Sequence, residues 1–324
     1  MITKLSVSNF KSVRHLDIEC KKVNLFIGEP NTGKSNILEV LALLSWCSRT
    51  GGNLSDYVRF QAYENLFYDG LLDREIRISL SESSVKTNTD LYIRFFNDQF
   101  QFYKQPNTSP FVTMDYKGGM SRSVYKAVTN VKFYRFKDLL QYSDKEAGSL
   151  KSPSGTNLFS VVFGSESLRE MMKEFFKKYG LRLILKPQEK VFELQKQTDD
   201  LVFSIPYPMS SDTLRRVIFY TVAIASNKDS VLVFEEPESN AFPYYTKYLG
   251  ERIALDQTNQ FFIATHNPYL LSAVIEKSHK EDIQVFITYF KDFQTLVKPL
   301  TPDEVVELME ADPFFNLDRL IEEE

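Results

Sequence analysis

An octapeptide near the N-terminus has the residue types and the spacing of a phosphate-binding loop. Residues 28–35 read Gly-Glu-Pro-Asn-Thr-Gly-Lys-Ser and fit the pattern G-x-x-x-x-G-K-[ST]. The preceding segment, 23–27, predicts a buried strand, and 36–44 has apolar residues at helical spacing. A loop between a strand and a helix N-terminus directs backbone N–H groups and the positive end of the helix dipole at one point. The sequence therefore predicts a polyphosphate site at this loop.

The side chains of the loop can divide the binding of a triphosphate among them. We expect Lys34 to contact the β- and γ-phosphates and the Ser35 hydroxyl to ligate Mg²⁺. The other residues expected around the phosphates share a place in the loop or in the first helical turn: Gly28, Glu29, Pro30, Asn31, Thr32, Gly33 and Asn36. The alternative is a chance turn of small residues, against which the flanking strand and helix argue.

Two adjacent acids follow a second apolar strand. Residues 231–234 read Val-Leu-Val-Phe, and Glu235 and Glu236 come next. The C-terminal ends of the strands form the ligand-binding edge of an open α/β sheet, and neighbouring side chains point in different directions. We therefore predict Glu235 as a Mg²⁺ ligand and Glu236 as the general base that activates water. The alternative is an acidic turn on the surface.

A histidine ends the next apolar strand along the chain. His266 follows the segment 260–265, whereas His15 and His279 lie in weakly patterned polar stretches. A lone histidine is more often structural than catalytic. Its place at a strand end after the two acids favours a role at the γ-phosphate, where an imidazole can donate a hydrogen bond or position water.

Alternating strands and helices predict an α/β fold with a mostly parallel central sheet. The helices predicted in the second half of the chain are 210–226, 244–255 and 268–276. The strands predicted there are 230–234, 260–265 and 283–289. Near the N-terminus, strands 2–7 and 14–20 begin an antiparallel β subdomain, and alternation over 74–104 predicts a β-hairpin or meander.

The middle of the chain predicts an insertion into this core. Residues 156–162 and 166–179 have helical patterns, and three short strands are predicted between 181 and 205. We therefore predict a core formed by 1–49 and 206–324, with a mixed β-rich and helical region inserted at 50–205.

Composition is that of a globular protein that can bury a full core. Hydrophobic residues make up 43% of the 324 positions, and charged residues make up 25%. Cys20 and Cys47 show neither metal-ligand nor disulfide spacing. We see no signal-peptide pattern and no apolar run near the ~20 residues of a membrane helix, so we expect no membrane partner and a cytoplasmic location.

Charge does not indicate DNA as a partner, although one segment leaves it open. The net charge is −4, so no overall basic field attracts nucleic acid. One stretch nevertheless places six cations among aromatic residues: Lys117, Arg122, Lys126, Lys132, Arg135 and Lys137. A solvated strand face is the simpler interpretation of this stretch, and DNA binding is the alternative.

The motifs together resemble one family. Residues 9–12 read Asn-Phe-Lys-Ser, 235–238 read Glu-Glu-Pro-Glu, and 265–268 read Thr-His-Asn-Pro. With the phosphate loop, these segments resemble the NFKS, DEPE and THSP motifs of ABC-type P-loop ATPase heads. The similar branch contains RecF, SMC heads and OLD-family nucleases, and the chain resembles a stand-alone head without a nuclease domain or coiled-coil arms.

The resemblance implies ATP and Mg²⁺ as cofactors, with Lys11 of the first motif at the nucleotide. It also implies a head-to-tail homodimer in which each ATP contacts a signature loop of the other subunit. Here that loop comprises Ser210, Ser211 and Asp212. Asp212 stands where the family has glycine, and we expect it to cap a helix that begins at Thr213. Glu235 stands where Asp is usual, and Phe242 where relatives often have His.

The resemblance therefore implies a slow ATPase that acts as a nucleotide-driven dimerising switch for a separate effector, in phage defence or DNA maintenance. Two alternatives remain at this stage. One is a nucleotide-gated scaffold with little turnover, and the other is a RecF-like ATPase that binds DNA. No motif in the sequence excludes GTP.

Overall fold

The computed structural model describes residues 1–324 except 50, 84, 106–107, 118, 126–129, 311–312, 315–316 and 323–324. Within that part of the chain, two large sheets lie on either side of a buried helix, and a third, small sheet shares a hydrophobic core with the central sheet without pairing to it. None of the helices described is both long enough and apolar enough to cross a membrane.

The first sheet has seven strands and is antiparallel throughout. Its strands are β1 (Ile2–Phe10), β2 (Val13–Glu19), β4 (Ile76–Glu82), β5 (Val85–Phe96), β6 (Gln99–Tyr103), β7 (Val112–Asp115) and β8 (Met120–Arg122). They lie in the order β2-β1-β4-β5-β6-β7-β8. The predicted N-terminal antiparallel subdomain is confirmed, and the predicted meander is its continuation.

The central sheet has six strands in the order β16-β15-β3-β14-β13-β9. These strands are β3 (Val23–Ile27), β9 (Val131–Tyr134), β13 (Val231–Glu235), β14 (Gln260–Ala264), β15 (Ile283–Lys291) and β16 (Gln294–Pro299). All neighbours pair in parallel except β15 and β16. Both faces are covered, which explains why β3 and β14 are buried along their whole length.

The strand register brings four loops to one edge of this sheet. Ala264 pairs with Phe26 on one side and with Glu235 on the other, and Phe234 pairs with Tyr134. The strands β3, β14, β13 and β9 therefore end at nearly the same level. Whatever follows each strand lies at that edge, as the sequence predicted for the phosphate loop, the acids and the histidine.

Helices cover both faces of the central sheet. They are α1 (Lys34–Cys47), α2 (Leu158–Gly164), α3 (Glu166–Lys177), α4 (Asp212–Ser226), α5 (Pro243–Leu255), α6 (Pro268–Lys277), α7 (Pro302–Glu310) and α8 (Leu317–Glu322). Phe26, Val233 and Phe262 face α1 and the first sheet, whereas Leu25 and Phe234 face the hydrophobic core of the other side. Since α1 lies between two sheets, nearly all of its side chains are buried.

The predicted insertion at 50–205 is not one structural unit, and this prediction was wrong in its boundaries. Strands β4–β8 extend the N-terminal sheet, while Val131–Tyr134 is the edge strand of the central sheet. Only the later part forms a separate sheet, β10 (Arg182–Lys186), β11 (Val191–Thr198) and β12 (Leu201–Pro206). Non-local strand pairing caused the error, because 131–134 looks like an isolated basic segment in the sequence.

The basic stretch is not a continuous solvated face. Lys132 donates to Ser149 Oγ at 2.8 Å and to the side chain of Asn227. The Arg122 guanidinium lies 4.0 Å from the Trp46 ring centroid and donates to the carbonyl oxygen of Trp46 in α1 and to that of Arg49, which follows the helix. Lys126 lies outside the described residues. The simpler interpretation of this stretch was therefore wrong at Lys132 and Arg122, whose charges bind within the protein.

A buried amide joins the N-terminal sheet to the central sheet. Gln260 Nε2 donates to the carbonyl oxygens of Ile2 and Lys21, both at 2.7 Å, and its Oε1 accepts from the Ile2 N–H at 2.7 Å. The side chain is fully enclosed. These three bonds connect the first residue of β14 to both ends of the β1–β2 hairpin.

We predict that Gln260→Leu lowers the free energy of unfolding by roughly 3 kcal/mol, since each buried group left unpaired costs about 1–3 kcal/mol. Urea denaturation followed by circular dichroism measures the change. Gln257→Leu, at an exposed position three residues earlier, is the matched control and should change it by less than about 0.5 kcal/mol. Equal denaturation midpoints for the two variants would show that this amide does not join the sheets.

Candidate functional site

The phosphate loop is fixed from behind by the β15–β16 hairpin. Gly28 and Gly33 have φ angles of +147° and +98°, a region that L side chains rarely adopt. A Cβ at Gly28 would collide with the Thr288 carbonyl, and one at Gly33 would collide with the Thr295 side chain. Both glycines are therefore required by conformation and by space. Sequence analysis missed β16, so it missed the reason for the second collision.

Lys34 lies folded under the loop. Its ammonium donates to the carbonyl oxygens of Gly28 at 2.8 Å and Glu29 at 2.7 Å. Burial lowers its pKa to about 8, although the carboxylates of Glu236 and Glu29 oppose this shift. A cation in this environment gains from any further negative charge nearby, which is what a phosphate would supply.

A cavity of about 490 Å³ lies in front of the loop and brings together residues from distant parts of the chain. Its lining residues are Lys11, Ser12, Pro30, Asn31, Gly33, Lys34, Ser35, Asn36, Arg59, Glu236 and His266. Glu29 and Thr32 line a neighbouring cavity on the β15 side together with Pro30 and Asn31. Lys34, Glu236 and His266 thus converge at one cavity, as the sequence predicted.

Glu236 and His266 face each other across this cavity. His266 Nε2 lies 3.4 Å from Glu236 Oε1, and the Ser239 hydroxyl donates to Glu236 Oε2 at 3.1 Å. Burial and the charge of Lys34 lower the pKa of His266, with Glu236 opposing them. An imidazole beside a carboxylate is a suitable pair for accepting a proton from water and orienting that water.

Glu235 is held by two arginines: Arg59, which sequence analysis did not select, and Arg135, which it placed in the basic stretch. Its Oε1 accepts from the Arg59 guanidinium at 2.8 Å, and its Oε2 accepts from Arg135 at 2.7 Å. Burial raises the pKa of Glu235, but a hydrogen bond from Ser35 and the charges of Arg135 and Arg59 outweigh it, so the pKa is lowered. Ser35 and Glu235, the two predicted metal ligands, are therefore in contact.

A second buried acid, Glu39, forms a charged cluster with Glu235, Lys11, Arg59 and Arg135. Glu39 lies on α1, one turn after Ser35, and its side chain is wholly enclosed. Its Oε1 accepts from Arg59 Nε at 2.9 Å, and its Oε2 accepts from the Lys11 ammonium. Burial lowers the pKa of Lys11, although Glu39 opposes the shift. The signal available in the sequence was a single acid inside an otherwise apolar helix.

The donor set suits magnesium, provided that Glu235 can release a guanidinium. Mg²⁺ prefers hard oxygen ligands and usually combines one or two protein carboxylates with substrate phosphates and water. The Ser35 hydroxyl and the Glu235 carboxylate meet that requirement. Among the residues that the structure describes, no three His, Cys, Asp or Glu side chains form a metal-binding group. Phosphate oxygens and water are the ligands that would complete the coordination.

Glu238 links the acidic turn, residues 235–238 at the end of β13, to the histidine turn, residues 265–267 after β14. Its Oε1 accepts from the Thr265 hydroxyl, whose oxygen in turn accepts from the Asn267 N–H at 3.0 Å. Its Oε2 has no hydrogen-bond partner within the described part of the chain. Burial raises the pKa of Glu238 to about 7. A carboxyl group in this position can hold a proton at neutral pH.

The predicted signature residues lie outside the cavity. The described lining does not include Ser210, Ser211 or Asp212. Asp212 is the first residue of α4 rather than a cap for Thr213, so that prediction was wrong. Its carboxylate lies 3.6 Å from the guanidinium groups of both Arg215 and Arg216. An acid in the first helical turn interacts favourably with the helix dipole and with these cations.

Comparison with known proteins agrees with this geometry. A family model described as AAA ATPase domain matches residues 1–152, which include the phosphate loop. The crystal structure of an Smc head bound to the C-winged helix domain of ScpA aligns with a TM-score of 0.59 at 14% identity. That alignment covers 94% of this chain and 99% of the Smc head. A search of curated proteins found no match.

A second Smc head has the same fold. It carries an extended coiled coil, is bound to the C-terminal domain of ScpA derived from Pyrococcus furiosus, and aligns with a TM-score of 0.56 at 13% identity. The alignment covers 95% of this chain and 98% of that one. These findings confirm the α/β fold class and show the fold of Smc heads, and the family match over residues 1–152 agrees with the resemblance to an ATPase that the motifs predicted.

The buried Glu238 predicts a pH-dependent stability. Its folded-state pKa of about 7 exceeds the ordinary value of 4.5, so the folded protein keeps a proton that the unfolded chain releases between these values. Its contribution to stability is therefore greatest below pH 4.5, declines as the pH rises to 7 and is level above. We therefore compare the unfolding free energies of wild type and Glu238→Gln. We predict that the wild-type value minus the variant value falls by up to roughly 3 kcal/mol between pH 4.5 and pH 7.

Urea denaturation at several pH values measures this difference. Glu19→Gln, at an exposed position on β2, is the control and should differ from wild type by a nearly constant amount. A wild-type minus Glu238→Gln difference that does not vary between pH 4.5 and 7 would contradict a protonated Glu238.

Proposed function

We propose that this protein binds ATP in the cavity in front of the phosphate loop and hydrolyses it. The observation that supports this most directly is the convergence of Lys34, Glu236 and His266 at one cavity, although Lys34 lies more than 200 residues before the other two in the chain. The match of residues 1–152 to an AAA ATPase domain supports a nucleotide as the ligand.

Each residue of the cavity has a distinct task in this reaction. Lys34 and the loop N–H groups bind the β- and γ-phosphates, and bound Mg²⁺ at Ser35 and Glu235 would neutralise phosphate charge. Glu236 accepts a proton from water as the water oxygen attacks the γ-phosphorus. The bond between the γ-phosphorus and the oxygen that bridges it to the β-phosphate breaks, which releases ADP and phosphate. His266 orients the water or hydrogen-bonds the γ-phosphate, and Lys11 and Asn36 border the same cavity.

Dimerisation is part of the proposal because the signature residues do not reach the cavity of their own subunit. Ser210 donates to the Tyr207 carbonyl at 2.7 Å, and the neighbouring Met209 is largely exposed. A second copy placed head-to-tail would bring Ser210, Ser211 and Asp212 to the nucleotide. ATP would then hold two copies together, and hydrolysis would release them.

A separate effector protein would respond to this cycle of ATP-dependent dimerisation and release. The two Smc heads with this fold carry a bound ScpA domain in their crystal structures, which supports a protein partner for this head as well. We place this activity in the cytoplasm, in phage defence or DNA maintenance. RecF-like DNA binding is less favoured, because Arg122, Lys132 and Arg135 of the basic stretch bind within the protein.

A nucleotide-gated scaffold with little turnover is the second candidate. The observation that favours it is the pairing of both Glu235 carboxylate oxygens with arginines. A carboxylate engaged in this way is less available to a metal ion, and slow metal binding would slow hydrolysis. The two candidates differ in whether phosphate release depends on Glu236.

The test is the variant Glu236→Gln. We predict that it binds ATP, releases phosphate at least about a hundredfold more slowly than wild type, as expected on losing a general base, and accumulates as an ATP-dependent dimer. Phosphate-release assays and sedimentation with ATP measure these properties. Lys34→Ala should lose ATP binding and should stay monomeric.

Glu281→Gln, which removes an exposed carboxylate outside the cavity, is the matched control and should behave as wild type in every assay. Equal phosphate release by wild type and Glu236→Gln would rule out Glu236 as the base and would favour the scaffold. A monomer under all nucleotide conditions would rule out the switch.

A further inference from the structure

Two guanidinium groups occupy the carboxylate on which a metal ion would depend. Arg59 donates to Glu235 Oε1 at 2.8 Å, and Arg135 donates to Glu235 Oε2 at 2.7 Å. Both are charge-assisted hydrogen bonds, which are about twice as strong as neutral ones. Each oxygen of Glu235 therefore already has a charged donor, and a cation that approaches it must compete with a guanidinium.

The surrounding charges oppose a divalent ion further. Glu39 and Glu235 are the acids of the cluster, and its cations are Lys11, Arg59 and Arg135. Cations therefore outnumber acids in this ion-paired cluster, and Lys34 and Glu236 at the same cavity add one charge of each sign. The Glu39 side chain is fully enclosed, so its pairing is costly to undo. A doubly charged ion entering next to this excess positive charge meets repulsion, whereas the phosphates of a nucleotide meet attraction.

The two arginines are held in different ways. Arg59 is fixed to Glu39 through both Nε and its backbone N–H, at 2.9 and 3.1 Å, so it stays at the cavity even when its bond to Glu235 breaks. Arg135 approaches Glu39 only to 3.8 Å, and its guanidinium lies 5.0 Å from the Phe133 ring centroid. Its charge is thus directed mainly at Glu235, which makes Arg135 the cleaner position to test.

We propose that Arg59 and Arg135 compete with Mg²⁺ for Glu235, so that the protein binds ATP without a divalent ion and takes up metal only when a guanidinium leaves that carboxylate. The inference rests on the proposed function, because it assumes that ATP occupies the cavity. In the metal-free state, the protein itself supplies the positive charge that the phosphates need. Metal uptake then becomes a separate, later step.

Calorimetric titration with ATP in EDTA and in excess Mg²⁺ tests this competition without measuring turnover. We expect wild type to bind ATP in both, with dissociation constants that differ by less than about threefold. We expect Arg135→Gln to bind at least about tenfold more weakly in EDTA than in Mg²⁺, a difference of about 1.4 kcal/mol. Removal of the arginine exposes one Glu235 oxygen, which repels phosphate until a metal ion occupies it.

Two variants serve as controls. Lys137→Gln removes the same charge from an exposed position two residues away, and it should keep the wild-type ratio. Arg135→Lys keeps a positive charge that can reach Glu235, and it should restore metal-independent binding at least in part. Restored binding in Arg135→Lys would show that the defect of Arg135→Gln comes from the lost charge. Thermal unfolding checks directly whether Arg135→Gln is folded.

Direct metal binding gives a second measurement. Mn²⁺ titrated onto the ATP complex and followed by electron paramagnetic resonance should bind Arg135→Gln at about tenfold lower concentration than wild type. Suppose instead that wild type binds ATP only with Mg²⁺ and that Arg135→Gln needs Mg²⁺ to the same degree. This result would overturn the inference and leave the proposed function intact. Absence of ATP binding with or without metal, in folded protein, would overturn both.

Discussion

The structure depends on one geometric constraint, which is the level register of four parallel strands. Strands β3, β14, β13 and β9 are hydrogen-bonded side by side and end at nearly the same height. The phosphate loop, the His266 turn, the acidic turn and Arg135 each follow one of these ends. A shift in this register would move a whole group of functional side chains away from the cavity. The buried, apolar strands fix the register, and so they fix the site.

A second principle is the compensation of charge away from solvent. Glu39 and Glu235 are poorly accessible carboxylates, and a buried charge is costly unless it is paired and hydrogen-bonded. Their cations come from three separate places: Lys11 from the turn between β1 and β2, Arg59 from the segment after α1, and Arg135 from the end of β9. The cluster therefore joins the N-terminal sheet, the helix and the central sheet, and each of its two acids is paired with at least two cations.

The sequence predicted those parts of the site that depend on local pattern. The phosphate loop, the acids and His266 each follow an apolar strand, and a strand followed by polar residues is visible within about ten positions. Arg59 was missed, and Arg135 was assigned only to the basic stretch, because their role depends on pairing with Glu235, which lies 176 and 100 residues away. The strand at 131–134 was missed for the same reason, since nothing near it in the chain shows that it pairs with β13. Asp212 was misplaced by one helical position, which local capping preferences do not resolve.

Hydrogen–deuterium exchange with and without ATP tests most directly whether these loops form one nucleotide site. We predict slower amide exchange in both 28–36 and 264–267 when ATP is added to wild-type protein, and no change in either segment of Lys34→Ala. Protection of one segment alone would show that the two turns do not share a ligand. Unchanged exchange in both segments of folded wild-type protein at millimolar ATP would contradict the account.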